Sequence, residues 1–199
     1  MKKAIFIIIG LIIFTYVFGL FVTKEIYTEI NIDASPQEVW NHLTAFERYP
    51  DWNPFVTHIS GEGKEGSKIR VAISPPGKNS MDFAPELVVV NQNEELRWLG
   101  RWLLPGLFDG EHYFKIEENS DGGVRFIHGE HFKGILALML WSSIESETRQ
   151  GFEAMNRGLK KRWKPKRRCN KPPNSFAKLR FGDPFDFCTA FRVPLRFLI

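Results

Sequence analysis

Apolar residues recur at steps of three and four across residues 135–162: Trp141, Ile144, Thr148, Phe152, Met155 and Leu159. That is the spacing of one helical face, and it predicts a single long helix over 135–162. Between these positions stand Ser143, Glu145, Ser146, Glu147, Arg149, Gln150, Glu153, Asn156 and Arg157, which read as a polar back. Lys160, Lys161 and Arg162 fall in the last turn, where positive charge complements the helix dipole. Residues 135–141 are apolar almost all round, so that end is expected to be the more deeply buried. Gly151 and Gly158 each cost about 1 kcal/mol against alanine in a helix interior. Close approach of another backbone is one reason for them; simple tolerance is the other.

Upstream the period changes from three and four to two. Residues 25–32 alternate and are rich in β-branched side chains, which predicts a strand. Ser35-Pro36-Gln37-Glu38 then carries the parts of a capping box, with proline at the first helical position. The helix continues through Val39, Trp40 and Leu43, a short helix or turn covers 45–51, and Trp52-Asn53-Pro54-Phe55 ends helical structure. An antiparallel meander follows, with strands expected at 56–61, 68–74, 81–92, 95–104, 111–118 and 124–132. Gly-rich or polar breaks separate most of them. The break at 105–110 is apolar at its centre, which suits a gate over a pocket, a contact with membrane, or a loop tucked onto its own sheet.

Residues 4–22 form an uncharged run of nineteen, about the length that crosses a bilayer. Lys2 and Lys3 precede it, and no small-x-small cleavage pattern lies near Val22. The expectation is an uncleaved single-pass anchor, with a cleaved signal peptide as the rival. By the positive-inside rule the domain would lie on the extracytoplasmic side.

Composition changes the picture mainly at the other end. Beyond Arg162 the chain carries nine basic residues against Asp183 and Asp186, with five prolines and six phenylalanines. The net charge of +4 therefore belongs to this tail, and the rest of the chain is net negative. A nucleic-acid partner is not expected. Residues 163–199 keep no helical or strand period and read as a poorly ordered extension; basic residues interleaved with phenylalanine also suit an anionic membrane surface. Cys169 and Cys188 both lie in the tail and provide no framework for a core.

A strand, two short helices, a meander and a long closing helix make a helix-grip arrangement of the α+β class. Ile32-Asp33-Ala34-Ser35-Pro36-Gln37-Glu38-Val39-Trp40 resembles the opening of the START-like (SRPBCC) superfamily of polyketide cyclases, dehydrases and lipid-transport proteins. Residues 46–55, 95–100, 106–112 and 151–156 extend the likeness, which covers about 24–162. The domains expected are an anchor at 1–23, a START-like domain at 24–162 and a tail at 163–199. The resemblance implies a curved sheet wrapped around the long helix, with an apolar cavity between them. Trp40 and Trp52 are expected to seat the short helices.

Strand parity supplies the inward residues. Leu96, Trp98, Gly100 and Trp102 share one face; so do His112, Phe114 and Ile116, and Val124, Phe126, His128, Glu130 and Phe132. If 119–123 is a tight connection, His112 falls near His128 and Glu130. These three are the candidate catalytic residues: His and Glu in an apolar pocket can act as acid and base on an enolisable substrate. The opposing reading is a satisfied polar network that fixes register. Ligand-binding residues are expected at Leu96, Trp98, Trp102, Phe114, Phe126, Phe132, Ile144, Thr148, Phe152 and Met155. There is no nucleophile elbow, phosphate-binding glycine loop or cysteine zinc motif, so neither cofactor nor metal is expected. The function expected is membrane-anchored binding of a hydrophobic small molecule or lipid, more a binding protein than an enzyme. A cyclase- or dehydratase-like enzyme using the His/Glu cluster is the alternative, and a partner-binding module with a collapsed cavity is a third.

Overall fold

Ser35 caps the helix that follows it. Its hydroxyl accepts from the Glu38 amide, and the Glu38 carboxylate accepts from the Ser35 amide at 2.8 Å. With Pro36 at the first position this starts α2 (Pro36–Thr44) on the residues the capping pattern specified. A 3₁₀ turn over Phe46–Asp51 follows, and Asn53 closes the segment by accepting the Phe55 and Val56 amides on its Oδ1.

The computed structural model describes residues 2–163, so the tail beyond Trp163, with both cysteines, lies outside the described residues. The elements are α1 (Lys2–Gly19), β1 (Thr23–Ile32), α2, β2 (Val56–Ser60), β3 (Arg70–Ile73), β4 (Met81–Phe83), β5 (Glu86–Asn91), β6 (Glu95–Arg101), β7 (Asp109–Glu118), β8 (Val124–Lys133), α3 (Ile135–Met139) and α4 (Trp141–Lys160). Strands β1-β8-β7-β6-β5 make one antiparallel sheet in that order. The antiparallel sheet packs on α4, whose Phe152, Met155 and Leu159 are fully buried.

Several expectations are corrected. The meander is not one sheet, because β2-β3-β4 form a second. The strand expected over 81–92 breaks at Ala84-Pro85, since proline has no amide to donate and constrains the residue before it. The sheets are still joined there, by Ile69 N–H to Pro85 O and Leu87 N–H to Ser67 O, both 2.9 Å. Second, β6 stops at Arg101 instead of 104, because Leu103 takes a positive φ of 64°.

Third, the helix over 135–162 is two helices. Leu140 leaves helical geometry at φ −93°, ψ 1°. Each piece has its own partner: α4 covers the sheet, while α3 is held by Leu136 N–H to Leu107 O (3.2 Å) and by the contact of Ile135 with Gly19. The apolar start is therefore not the deeply buried end. Only Ala137 of α3 is buried, and Met139 and Leu140 are exposed. The two helix glycines both mark close approaches. A Cβ at Gly151 would strike the Phe55 ring, and one at Gly158 would meet the Trp52 carbonyl oxygen at 2.5 Å.

Candidate functional site

Register brings the three candidate residues together. On β7 and β8, His112 pairs with Glu130 and Phe114 with His128, so all four side chains share the face that meets α4. His112 and His128 lie 2.9 Å apart, Nε2 to Nε2. Glu130 Oε2 lies 3.4 Å from His112 Nδ1.

Two residues that the sequence reading passed over complete the cluster. Asn156 does not belong to a polar back; it is buried, with Oδ1 2.9 Å from His128 Nδ1. Its Nδ2 donates to Thr28 Oγ1 at 3.0 Å, and Thr28 donates to the His128 carbonyl at 2.8 Å. Signals for both were present. Asn156 follows Phe152 by four, and Thr28 lies on the same β1 face as Ile26, Ile30 and Ile32.

Donor counting fixes the protons. Thr28 spends its hydroxyl hydrogen on the His128 carbonyl, so it accepts from the Asn156 amide nitrogen. Asn156 Oδ1 then faces His128 and needs a donor, which places the hydrogen of His128 on Nδ1. His128 Nε2 is bare, so His112 donates from its own Nε2, and His112 Nδ1 is bare in turn. A carboxylate beside that nitrogen would set lone pair against lone pair; a protonated Glu130 would not. The electrostatics agree. Burial pushes Glu130 up to about 8, against a small opposing pull from His131. Burial pushes His112 down to about 3 and His128 well down, with the adjoining imidazole adding to the shift of His128. The result is a neutral chain from Glu130 through His112, His128 and Asn156 to Thr28, with its donors aimed one way.

Aromatic rings enclose the chain. Phe152 stacks on His128 at 3.9 Å between centroids, and Trp98 on His112 at 4.6 Å. Of the expected lining residues, Leu96, Trp98, Phe114, Phe126, Phe132, Phe152 and Met155 are buried together in the core, and Ile144 packs half-buried against it. Thr148 is half-buried on α4. Trp102 is not among them: it follows the end of β6 and is 56% exposed.

Packing is uneven along the sheet. Around His128 the rings fill the space between sheet and helix. At the end carrying Glu130, Phe108 and Trp141 remain half-buried, each 6.1 Å from Phe132 between centroids. Glu130 keeps 18% of its side-chain exposure at this end. The opposite end of the chain adjoins a surface hollow of about 260 Å³ between β1 and α4, lined by Thr28, Glu29, Arg149, Glu153 and Asn156 among others. No group of three His, Cys, Asp or Glu side chains is placed to hold a metal among the described residues.

Solved structures share this fold at low identity. Norcoclaurine synthase from Thalictrum flavum, in complex with dopamine and hydroxybenzaldehyde, superposes with a TM-score of 0.56 at 16% identity, covering 70% of this chain and 86% of that one. The Zhui aromatase/cyclase from Streptomyces sp. R1128 gives 0.56 at 11% identity, with coverages of 71% and 93%. TTHA0849 from Thermus thermophilus gives 0.56 at 19%, with 70% and 96%. No curated protein matches the sequence. The profile of the family described as "Polyketide cyclase / dehydrase and lipid transport" matches residues 23–163, from the first strand to the end of α4. That span contains the helix-grip sheet and its closing helix, and the chain belongs to the polyketide cyclase/dehydrase and lipid transport family.

Proposed function

We propose that this protein is a membrane-anchored binder of a hydrophobic small molecule or lipid, with α1 as its anchor and residues 24–162 as its binding domain. The observation that carries this reading is the half-buried apolar cluster of Phe108, Phe132 and Trp141 beside Glu130. Covering apolar surface yields about 25 cal/mol per Å², before ordering costs are deducted. Glu130, uncharged while its proton points to His112 Nδ1, offers such a ligand a carboxyl oxygen as one polar contact without a charge beside the apolar cluster. α1 supports the anchor: it has 18 residues, a mean hydropathy of 1.9 and almost no buried surface. Solvent extraction of the full chain purified from membranes, followed by mass spectrometry, tests the reading. One apolar compound should be enriched with the wild-type chain and depleted from Phe108→Asp. An extract indistinguishable from that of an unrelated single-pass protein would refute it.

A second reading is favoured by one observation, the raised Glu130 in contact with His112. Holding a proton near neutral pH, Glu130 would turn it from His112 Nδ1 to a ketone oxygen and act as general acid, as in a cyclase- or dehydratase-like enzyme, while water takes the proton from the neighbouring carbon. Deuterium exchange at the central carbon of a β-diketone probe tests this. Glu130→Gln should slow exchange by about 100-fold while the chain stays folded. Equal exchange with both chains removes the catalytic reading.

A further inference from the structure

We propose that the domain lies directly on the bilayer, docked through an apolar surface built from the β6–β7 loop and the α3–α4 junction; this rests on α1 being the anchor. Trp102, Leu103 and Leu104 are 56%, 71% and 60% exposed, and Met139 and Leu140 are 70% and 46% exposed. A soluble domain gains nothing from five large apolar side chains in water, and a patch of this kind marks an interaction surface.

The occupant follows from what the patch is joined to. Tyr16 in α1 donates from its hydroxyl to the Pro105 carbonyl at 2.7 Å. Gly106 packs on Leu20, and Gly19 on Ile135. Gly134 N–H reaches the Val22 carbonyl at 3.3 Å. Both halves of the patch are thus tied to the last turn of α1 and continue its apolar surface. When α1 spans a bilayer, these side chains reach the same leaflet.

Charge complements that placement. Immediately behind the loop, cross-strand partners put Arg101, Asp109, Lys133 and Thr23 in one row, while Lys24 lies on the other face of β1 with its Nζ 5.8 Å from the centre of the Trp141 ring. Asp109 turns inward to accept the Gly106 amide at 2.9 Å. The row therefore offers cationic ends at headgroup depth, and Trp102 is suited to the same depth by its apolar ring and polar N–H. The docked surface is also the end that carries Phe108, Trp141 and Glu130, so an apolar ligand would pass between leaflet and domain without crossing water.

The test uses the full chain with Cys169→Ser and Cys188→Ser, carrying an environment-sensitive nitrobenzoxadiazole label on Leu103→Cys, Met139→Cys or Ser120→Cys. Ser120 lies in the β7–β8 turn at the opposite end of the sheet. In phosphatidylcholine/phosphatidylglycerol vesicles, labels at 103 and 139 should emit blue-shifted light and be quenched by headgroup-depth nitroxide lipids. The label at 120 should emit as in water. Labels at 103 and 139 as wet as that at 120, on a chain that resists alkaline extraction, would overturn docking and leave the anchor standing. A chain that alkali removes overturns both. Shielding that appears only at high protein density assigns the patch to a second copy and overturns the proposal too.

Discussion

His128 on β8 and Asn156 on α4 meet at 2.9 Å across the core, and this contact hydrogen-bonds the sheet to the helix that closes it. Replacing Asn156 by Ala removes the Oδ1 acceptor that faces His128 Nδ1, leaving that hydrogen only the Phe152 backbone, and leaves Thr28 without its donor. The expected loss is about 1–3 kcal/mol. His128→Ala should cost a similar amount by leaving His112 and Asn156 unsatisfied. Urea denaturation of the pair and of the double variant measures both. Losses that add would show that the two residues do not share one network.

Stability should pass through a maximum near pH 6.5. The two buried histidines stay neutral in the folded state while the unfolded chain takes up their protons below about 6.5, so stability falls as pH drops through that range. His42, pushed down to about 4 by burial, works in the same direction. Glu130 has the opposite sign. Its unfolded value is 4.5 and its folded value about 8, so stability falls as pH rises through that interval. Between 4.5 and 6.5 the histidines outnumber the acid and stability rises with pH; from 6.5 to 8 Glu130 acts alone and removes about 2 kcal/mol. Melting temperature against pH should show the peak, and Glu130→Gln should turn its alkaline side into a plateau.

Gly151→Ala and Gly158→Ala should both destabilise the protein, although helix propensity alone favours each by about 1 kcal/mol. The new methyl strikes the Phe55 ring in one case and the Trp52 carbonyl in the other. Lower melting temperatures for both variants are expected. A rise in either would mean that its neighbour yields without cost.

Deleting residues 1–22 should convert an integral protein into a peripheral one. The full chain is expected to remain in membranes washed with alkali, and the shortened chain to leave them. Retention of both would require a second membrane attachment beyond α1.

Much of the fold was legible because local chemistry and tertiary structure agreed. Ser35, Pro36 and Glu38 specify a helix start wherever they stand, and strand parity put His112, His128 and Glu130 on one face. The misses came where a neighbour decided. Nothing in the composition of 135–162 breaks a helix at Leu140; the break follows from α3 docking beside α1 while α4 docks on the sheet. Trp102 has the parity of Trp98, but the positive φ of Leu103 marks where β6 has already ended. Pro85 was a visible signal against a strand over 81–92. Polarity alone assigns Asn156 to the helix back, yet it sits at the margin of the apolar stripe, where one polar side chain is buried if the sheet offers it a partner.

The Asn156 amide also sets a limit on proton conduction. Imidazoles pass a proton by taking it on one nitrogen and releasing it from the other, so Glu130, His112 and His128 form a conductive segment. An amide cannot do this at neutral pH without forming a high-energy imidic acid, and the segment ends at Asn156. The surface hollow that Thr28 lines reaches Asn156 itself. The core is therefore insulated from bulk protons on the side facing that hollow, and protons exchange at the Glu130 end, where the domain faces α1.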